Sequence, residues 1–380
     1  MTQALLWLCP DQIFDGQYLR AGMALGISDG MVHDIRLLKD VSSQAKRITF
    51  SGVVTPGYLD LQVNGGGDVL INNDPSPNAM ITVAKALRGF GTVGIMPTVI
   101  TDSPDILAKA VEAAIAAKSE NGILGLHIEG PHISLTRRGT HAAQFVRPLD
   151  AATINHVERL RHAGVAVIIT LAPEAVQPGQ VRSLVNTGAI VSIGHSDAAT
   201  EQVKPLLDEG AKCFTHLFNA MSPMLNRAEG VTGAAINSTA YCGFICDGHH
   251  VSDNMLGLAI RARPIMNRMF LVSDCMSTVG GTNQFMLYGQ KIRLMDGRLV
   301  NAEGSLAGAH VTMAQSVARL ISVLGIAPEQ ALRMAVTVPA EIIGADLARV
   351  IGRSAKDLLI LGSDWMPIGT CADQINALAA

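Results

Sequence analysis

The chain has 380 residues, 48% of them hydrophobic and only 16% charged, with a formal net charge of −3. A chain of this length and apolar content can bury a large core, and a single α/β barrel can account for most of it. With 29 basic against 32 acidic residues, no basic patch marks a nucleic-acid partner, and an anionic ligand would have to be met by local cations. The six cysteines, Cys9, Cys213, Cys242, Cys246, Cys275 and Cys371, are scattered and contain no C-x-x-C pair. No signal-peptide pattern opens the sequence, and no apolar run reaches membrane-spanning length. The expectation is a cytoplasmic chain with no membrane association.

Residues 1–53 read as short strands joined by turns. Asp29-Gly30, between Ile27-Ser28 and Met31-Val32, is a hairpin signal. The character changes near Thr55-Pro56-Gly57. Eight apolar runs then follow: Val53–Val63, Val93–Val99, Ile123–Ile128, Val165–Leu171, Ala189–Ile193, Ala211–Thr215, Tyr241–Cys246 and Met269–Ser273. Helical patterns lie between most of them, at Asn78–Phe90, Pro104–Lys118, Ala151–His162, Gln180–Asn186, Ala198–Glu209 and Asp253–Arg263. Continuous apolar strands alternating with amphipathic helices predict a parallel sheet covered on both faces. Eight such units predict a (β/α)8 TIM-like barrel. A doubly wound open sheet is the alternative, but no Gly-x-Gly-x-x-Gly follows the first strand.

Phe285–Val300 interrupts the rhythm, with a second hairpin signal at Asp296-Gly297. Ala309–Ile326 and Pro328–Ile343 read as helices, and Asp357–Leu361 as a last strand. That strand can return to the N-terminal ones. The expected organisation is a small β-sandwich domain from residues 1–53 and 350–380, and a barrel from 54–349.

In such barrels the chemistry gathers at the C-terminal ends of the strands. Here successive runs hand over to Gln62-Val63-Asn64, Glu129, His195, His216, Asp247-Gly248-His249-His250 and Asp274. Glu129, His195 and His216 offer one carboxylate oxygen and two imidazole nitrogens, a set that suits a catalytic divalent metal with water completing the shell. Imidazole suits zinc, iron, nickel or copper, so the residues alone leave the ion open. The bland alternative is three hydrogen-bonded barrel residues, against which their shared register argues. Asp274 is the candidate acid/base group, since a carboxylate beside activated water can take its proton and return it to a leaving group. Cys242 and Cys246 with His249 and His250 suggest a second metal site, but two cysteines on one strand face serve equally as small core residues.

These segments together resemble the amidohydrolase superfamily, and within it the N-acetylglucosamine-6-phosphate deacetylases. The resemblance runs through Pro56–Gly65, Gly125–His132, Gly139-Thr140-His141, Ile193–Ser196, Thr215–Met221, Asp247–Val251, Val272-Ser273-Asp274 and Gly304-Ser305-Leu306-Ala307-Gly308. It implies one divalent ion per subunit on Glu129, His195 and His216, zinc first, with iron or another divalent ion as alternatives. It implies Asp274 as catalytic base and acid and His141 as the group polarising the acetyl carbonyl. Substrate contacts are implied at Ala142, Asn219, Ala220, Arg227, His250, Leu306, Ala307 and Gly308. Arg227 is expected to reach across a subunit interface, in a homodimer or dimer of dimers. Many superfamily members carry His-x-His on the first strand to hold a second metal. Gln62 and Asn64 stand there instead, and amides are poor ligands for such ions.

The implied reaction is hydrolysis of the small-molecule sugar phosphate N-acetyl-D-glucosamine 6-phosphate to D-glucosamine 6-phosphate and acetate, in amino-sugar catabolism and cell-wall sugar recycling. A deacylase of another N-acyl amino sugar or amino acid, and a catalytically silent sugar-phosphate sensor, are the rival readings. Within His127-Ile128-Glu129-Gly130-Pro131-His132, Glu129 is the assigned ligand. His127 is expected on the opposite face, in packing or support, and His132 is expected to order the loop that carries His141.

Overall fold

A computed structural model describes residues 5–304 and 306–377; Ser305 of the Gly304–Gly308 motif lies outside them. Eight strands form one sheet whose neighbours follow chain order. They are β1 (Tyr58–Val63), β2 (Thr92–Ile100), β3 (Gly125–Glu129), β4 (Ala166–Leu171), β5 (Ile190–Ile193), β6 (Cys213–Phe214), β7 (Tyr241–Phe244) and β8 (Met269–Leu271). The pairings from β2 to β8 are parallel, with Glu129 opposite Thr170 and Thr170 opposite Ser192. Just past β8, the Asp274 amide donates to the Gln62 carbonyl at 3.0 Å and Cys275 bridges Val63, which brings the last strand against the first. Every residue of β1 and β3 is buried, as expected for strands covered on both faces. Each of the eight runs read from sequence supplies one of these strands, in the barrel architecture anticipated.

The helices begin where local chemistry allows it. Ser76 and Ser103 accept from backbone amides at the starts of Pro77–Arg88 and Pro104–Ala117, each with proline in the first turn. Asp150 does the same for Ala151–His162. Gly230–Asn237, like the short Cys371–Asn376 helix, has no counterpart in the sequence reading. All its residues but the last are buried, so it lacks the polar stripe that periodicity detects.

The Phe285–Val300 interruption is an antiparallel three-stranded sheet, Gln284–Leu287, Gln290–Met295 and Arg298–Val300, turning at Asp296-Gly297. Leu287, Ile292 and Leu299 pack with Leu70, Ile100, Met276 and Ala307. The sheet fixes the segment after it, because Leu306 bridges Val300 and the Ala307 amide donates to the Leu299 carbonyl at 3.0 Å.

Two further sheets share a core of their own. Leu6–Cys9, Met23–Ser28, Met31–Leu37 and Arg47–Thr49 make one; Gln12–Phe14, Leu19–Ala21, Val53–Pro56, Leu358–Leu361 and Pro367–Thr370 make the other. Leu8, Leu25 and Ile27 from the first meet Ile13, Val54, Leu358 and Ile360 from the second. The returning C-terminal strand pairs antiparallel with Val53–Pro56. The first apolar run, read as one strand, is therefore two: Val53–Pro56 belongs to this sheet and Tyr58–Val63 to the barrel. The compact units are Met1–Leu59 with Val317–Ala380, and Asp60–Ser316. Pro328–Ile343, assigned by sequence to the barrel segment, groups with the sheets. There the Glu329 carboxylate accepts from the Leu19 amide and the Thr337 hydroxyl donates to the Gly16 carbonyl. All six cysteines are buried and free. No helix among the described residues is long and apolar enough to cross a membrane.

Candidate active site

His195, His216 and Asp274 follow their strands with φ of 49°, 31° and 52°. Left-handed backbone costs a non-glycine residue about 1–2 kcal/mol and persists where the surroundings over-determine it. Phe218 and Ala220 in the same region share it. These torsions turn the side chains over the barrel mouth, where Glu129 arrives from the end of β3.

Glu129 Oε1 lies 3.2 Å from His195 Nε2 and 3.0 Å from His216 Nε2, and the two nitrogens are 3.0 Å apart. His195 Nδ1 donates to the Arg137 carbonyl at 2.9 Å, so Nε2 is the ring nitrogen left to ligate an ion. Ligand atoms about 2.0–2.2 Å from a tetrahedral ion stand roughly 3.3–3.6 Å apart, close to the spacing of these three. The donor set fits a divalent cation, with the Arg137 carbonyl as the outer partner that such a histidine needs. His141 also offers a nitrogen, within 4.8 Å of the ligand atoms of Glu129 and His195, and its ring centroid is 4.4 Å from that of His195.

Burial acts on every ionisable group here. It would raise Glu129, but the hydrogen bonds and positive charge of His195 and His216 hold that carboxyl well below its ordinary range. Burial, with the charge of His195 behind it, pushes His141 well down, so its ring is neutral. Asp274 is pushed up to about 6, by burial first and by the Glu129 charge second.

Gln62 and Asn64 reach Asp274 as donors. Gln62 Nε2 lies 2.9 Å from Glu129 Oε1 and 3.2 Å from Asp274 Oδ1, and Asn64 Nδ2 lies 2.7 Å from Asp274 Oδ1. Each amide thus turns N–H, not oxygen, to the carboxylates, and an N–H group cannot ligate a cation.

Asn64, Glu129, His141, His195, His216 and Asp274 line a cavity of about 170 Å³ together with Ile100, Thr140, Asn219, Ala220, His250, Met276, Leu306 and Gly308. Ala307 is buried, and Ala142 lines an adjoining cavity of about 710 Å³ that shares Thr140, His141 and Leu306. Arg227 is exposed and does not line the cavity of its own chain.

His127 corrects an expectation. Side chains two apart on a strand share a face, so His127 sits on the Glu129 face, inside the barrel, and not on the opposite one. Its Nδ1 lies 3.1 Å from the Leu61 carbonyl and its Nε2 2.7 Å from the Thr170 hydroxyl; Thr215 and Ser192 continue the contacts at 2.7 and 2.6 Å. His132 bonds the Arg147 and Pro148 carbonyls and the Thr153 hydroxyl, fastening the far end of the loop that carries His141.

Sequence reasoning passed over Thr101, whose hydroxyl lies 2.7 Å from His141 Nδ1, and the apolar wall of Ile100 and Met276. No local signal marks them, because they matter only through what the barrel sets beside them. It also passed over Asp247 as a partner of His250, although the three-residue spacing was visible.

A model of the amidohydrolase family matches residues 53–351. The chain belongs to that family, and is a hydrolase of the amidohydrolase type. Its relatives within the family are amino-sugar-phosphate deacetylases. The N-acetylgalactosamine-6-phosphate deacetylase of Shewanella sp. (strain ANA-3) is 36% identical over 84% of this chain and 82% of that protein. The N-acetylglucosamine-6-phosphate deacetylase of Haemophilus influenzae is 31% identical over 83% and 84%. The crystal structure of N-acetylglucosamine-6-phosphate deacetylase from Pasteurella multocida superimposes with a TM-score of 0.89 at 30% identity, covering 96% of this chain and 97% of that one.

Proposed function

We propose that this chain hydrolyses the acetamide of N-acetyl-D-glucosamine 6-phosphate to D-glucosamine 6-phosphate and acetate, in amino-sugar catabolism, with one zinc ion per subunit held by Glu129, His195 and His216. The observation that carries the reading is the meeting of those three ligand atoms, 3.0–3.2 Å apart, with an amide-held carboxyl, Asp274, in one buried cavity. A divalent ion bound there supplies Lewis acidity and makes water a nucleophile near neutral pH.

The chain's own groups do the rest. Asp274 takes the proton of the attacking water and passes it to the departing amine. A carboxyl poised at about 6 can do both near neutrality. Gln62 and Asn64 hold its Oδ1, which leaves Oδ2 for the transfer. His141 meets the carbonyl oxygen as that oxygen gains charge. For this its Nε2 must carry the hydrogen, and a Thr101 hydroxyl donating to Nδ1 sets that tautomer. Asn219, the Ala220 backbone and His250 receive the phosphate, and Leu306, Ala307 and Gly308 close on the sugar. The exposure of Arg227 supports its acting on the phosphate of a neighbouring subunit's site in a homodimer.

One observation favours a second reading. The Shewanella relative, at 36% identity, is named for the galacto epimer, and N-acetyl-D-galactosamine 6-phosphate is the rival substrate. Zinc-loaded protein assayed for acetate release from both sugar phosphates decides between them. Release from neither sinks the proposed activity.

A further inference from the structure

We propose that Asp247 is the positioning residue for phosphate recognition, acting through His250. The inference rests on the sugar-phosphate reading above. Three contacts converge on the Asp247 carboxylate. Its Oδ1 accepts from the backbone amides of His249 and His250 at 2.8 and 2.9 Å, and its Oδ2 accepts from His250 Nδ1 at 2.6 Å. Gly248, at φ 77°, supplies the left-handed residue that lets the turn close on its own aspartate. Both side chains are largely shielded, 5% exposed for Asp247 and 10% for His250, so little water screens the pair. Burial would raise the Asp247 carboxyl, but the bonds from His250 and the two amides outweigh it and hold it at about 2, so the group is charged throughout the useful pH range.

The turn presents two histidines and uses one. His249 is exposed and its Nε2 faces the Asp296-Gly297 turn, where a Cβ on Gly297 would come within 2.9 Å of it. His250 lines the catalytic cavity. With Nδ1 engaged by Asp247, Nε2 is the ring nitrogen left for a ligand there. A histidine whose Nδ1–H is held by a carboxylate has its orientation fixed in advance, and as the imidazolium it presents Nε2–H as a donor. It meets a phosphate oxygen without first losing rotational freedom. Asp247 therefore serves the anion although it bears the same sign. Its charge is spent on the imidazole, and the imidazole faces the cavity.

The test compares the parent, Asp247→Asn, His250→Ala and the double variant, all metal-loaded. Asp247→Asn should raise KM for the phosphorylated substrate about tenfold, leave kcat within a few-fold, and shrink the kcat/KM preference for phosphorylated over unphosphorylated sugar by a similar factor. The double variant should be no worse than His250→Ala, since both substitutions remove one device. Calorimetric titration with inorganic phosphate reads the same loss without turnover. If the parent deacetylates neither sugar phosphate yet binds phosphate in an Asp247-dependent way, the activity assignment fails and this inference stands. Equal losses on phosphorylated and unphosphorylated sugar, additive losses in the double variant, or unchanged phosphate binding overturn it. Should Asp247→Asn fold poorly, Asp247→Glu retains the charge but moves it, and the same loss of phosphate affinity is expected.

Discussion

The paired sheets and the barrel mouth both contain residues with left-handed backbone, for different reasons. In the sheet unit they are Asp29 beside Gly30, and Trp365 after an Asp whose side chain accepts from the next turn. Both sit in tight turns, and an Asp-Gly hairpin is readable from local chemistry alone. At the barrel mouth they are His195, His216, Phe218, Ala220 and Asp274, and Phe218 and Ala220 are types with no local preference for that conformation. There the torsion is imposed by neighbours brought from distant parts of the chain. The sheets show a backbone shaped to be stable, and the mouth a backbone held in unfavourable torsions so that its side chains converge.

Substitutions can break or sharpen that contrast. The largest effect is expected from Asp274→Asn, which keeps the amide contacts but not the base; kcat for acetate release should fall by about 10²–10⁴, with metal content, read by elemental analysis, unchanged. His216→Ala should fail at an earlier step, leaving protein that folds but retains little metal after dialysis. Thr101→Val removes the partner of His141 Nδ1 and should lower kcat roughly tenfold to a hundredfold while KM moves little. A shift in KM alone would show that His141 only binds. Gly308→Ala tests packing at the mouth. Its φ is 78° and an added Cβ would lie 2.4 Å from Met276 Cε, so the closing segment should shift and KM rise several-fold.

The smallest effects belong outside the mouth. Gly52 has φ 126°, and a Cβ there would lie 2.7 Å from the Leu361 carbonyl oxygen. Gly52→Ala should lower Tm by several degrees with kcat unchanged, at about 2–4 °C per kcal/mol for a chain of this class. A changed kcat would mean that the two regions are not independent. Asp60, beneath the mouth, adds a pH signature. Burial, with the nearby Asp274 charge, raises its carboxyl to about 7. The folded protein then binds more protons than the unfolded chain between about pH 4 and 7, and stability falls as pH rises through that window. Denaturant melts of Asp60→Asn should show a flatter slope there.

Most of the barrel was legible because strands buried on both faces are largely apolar, and the eight runs stood out although β1 and β3 carry Asp60, Gln62, His127 and Glu129. Gly230–Asn237 escaped because a helix buried all round has no polar face. Val53–Val63 was misjudged as one strand because Pro56-Gly57 moves the chain from one sheet to another without interrupting apolarity. In the site, Glu129, His195, His216 and Asp274 were legible from their place at strand ends. The grip of Gln62 and Asn64 on Asp274 was not, since it joins residues about two hundred positions apart.

The contacts of His127 leave only one arrangement of hydrogens. A carbonyl oxygen can only accept, so Nδ1 donates to Leu61. Burial first, against the charge of Glu129, takes the ring down to about 4, so it is neutral and Nε2 accepts. Thr170 must then donate to the ring, Thr215 to Thr170 and Ser192 to Thr215. The barrel floor is a one-way sequence of oriented O–H dipoles, and no member can reverse unless all do. Its polarity is set at one end by a single peptide carbonyl, and the potential under Glu129 and Asp274 is fixed with it.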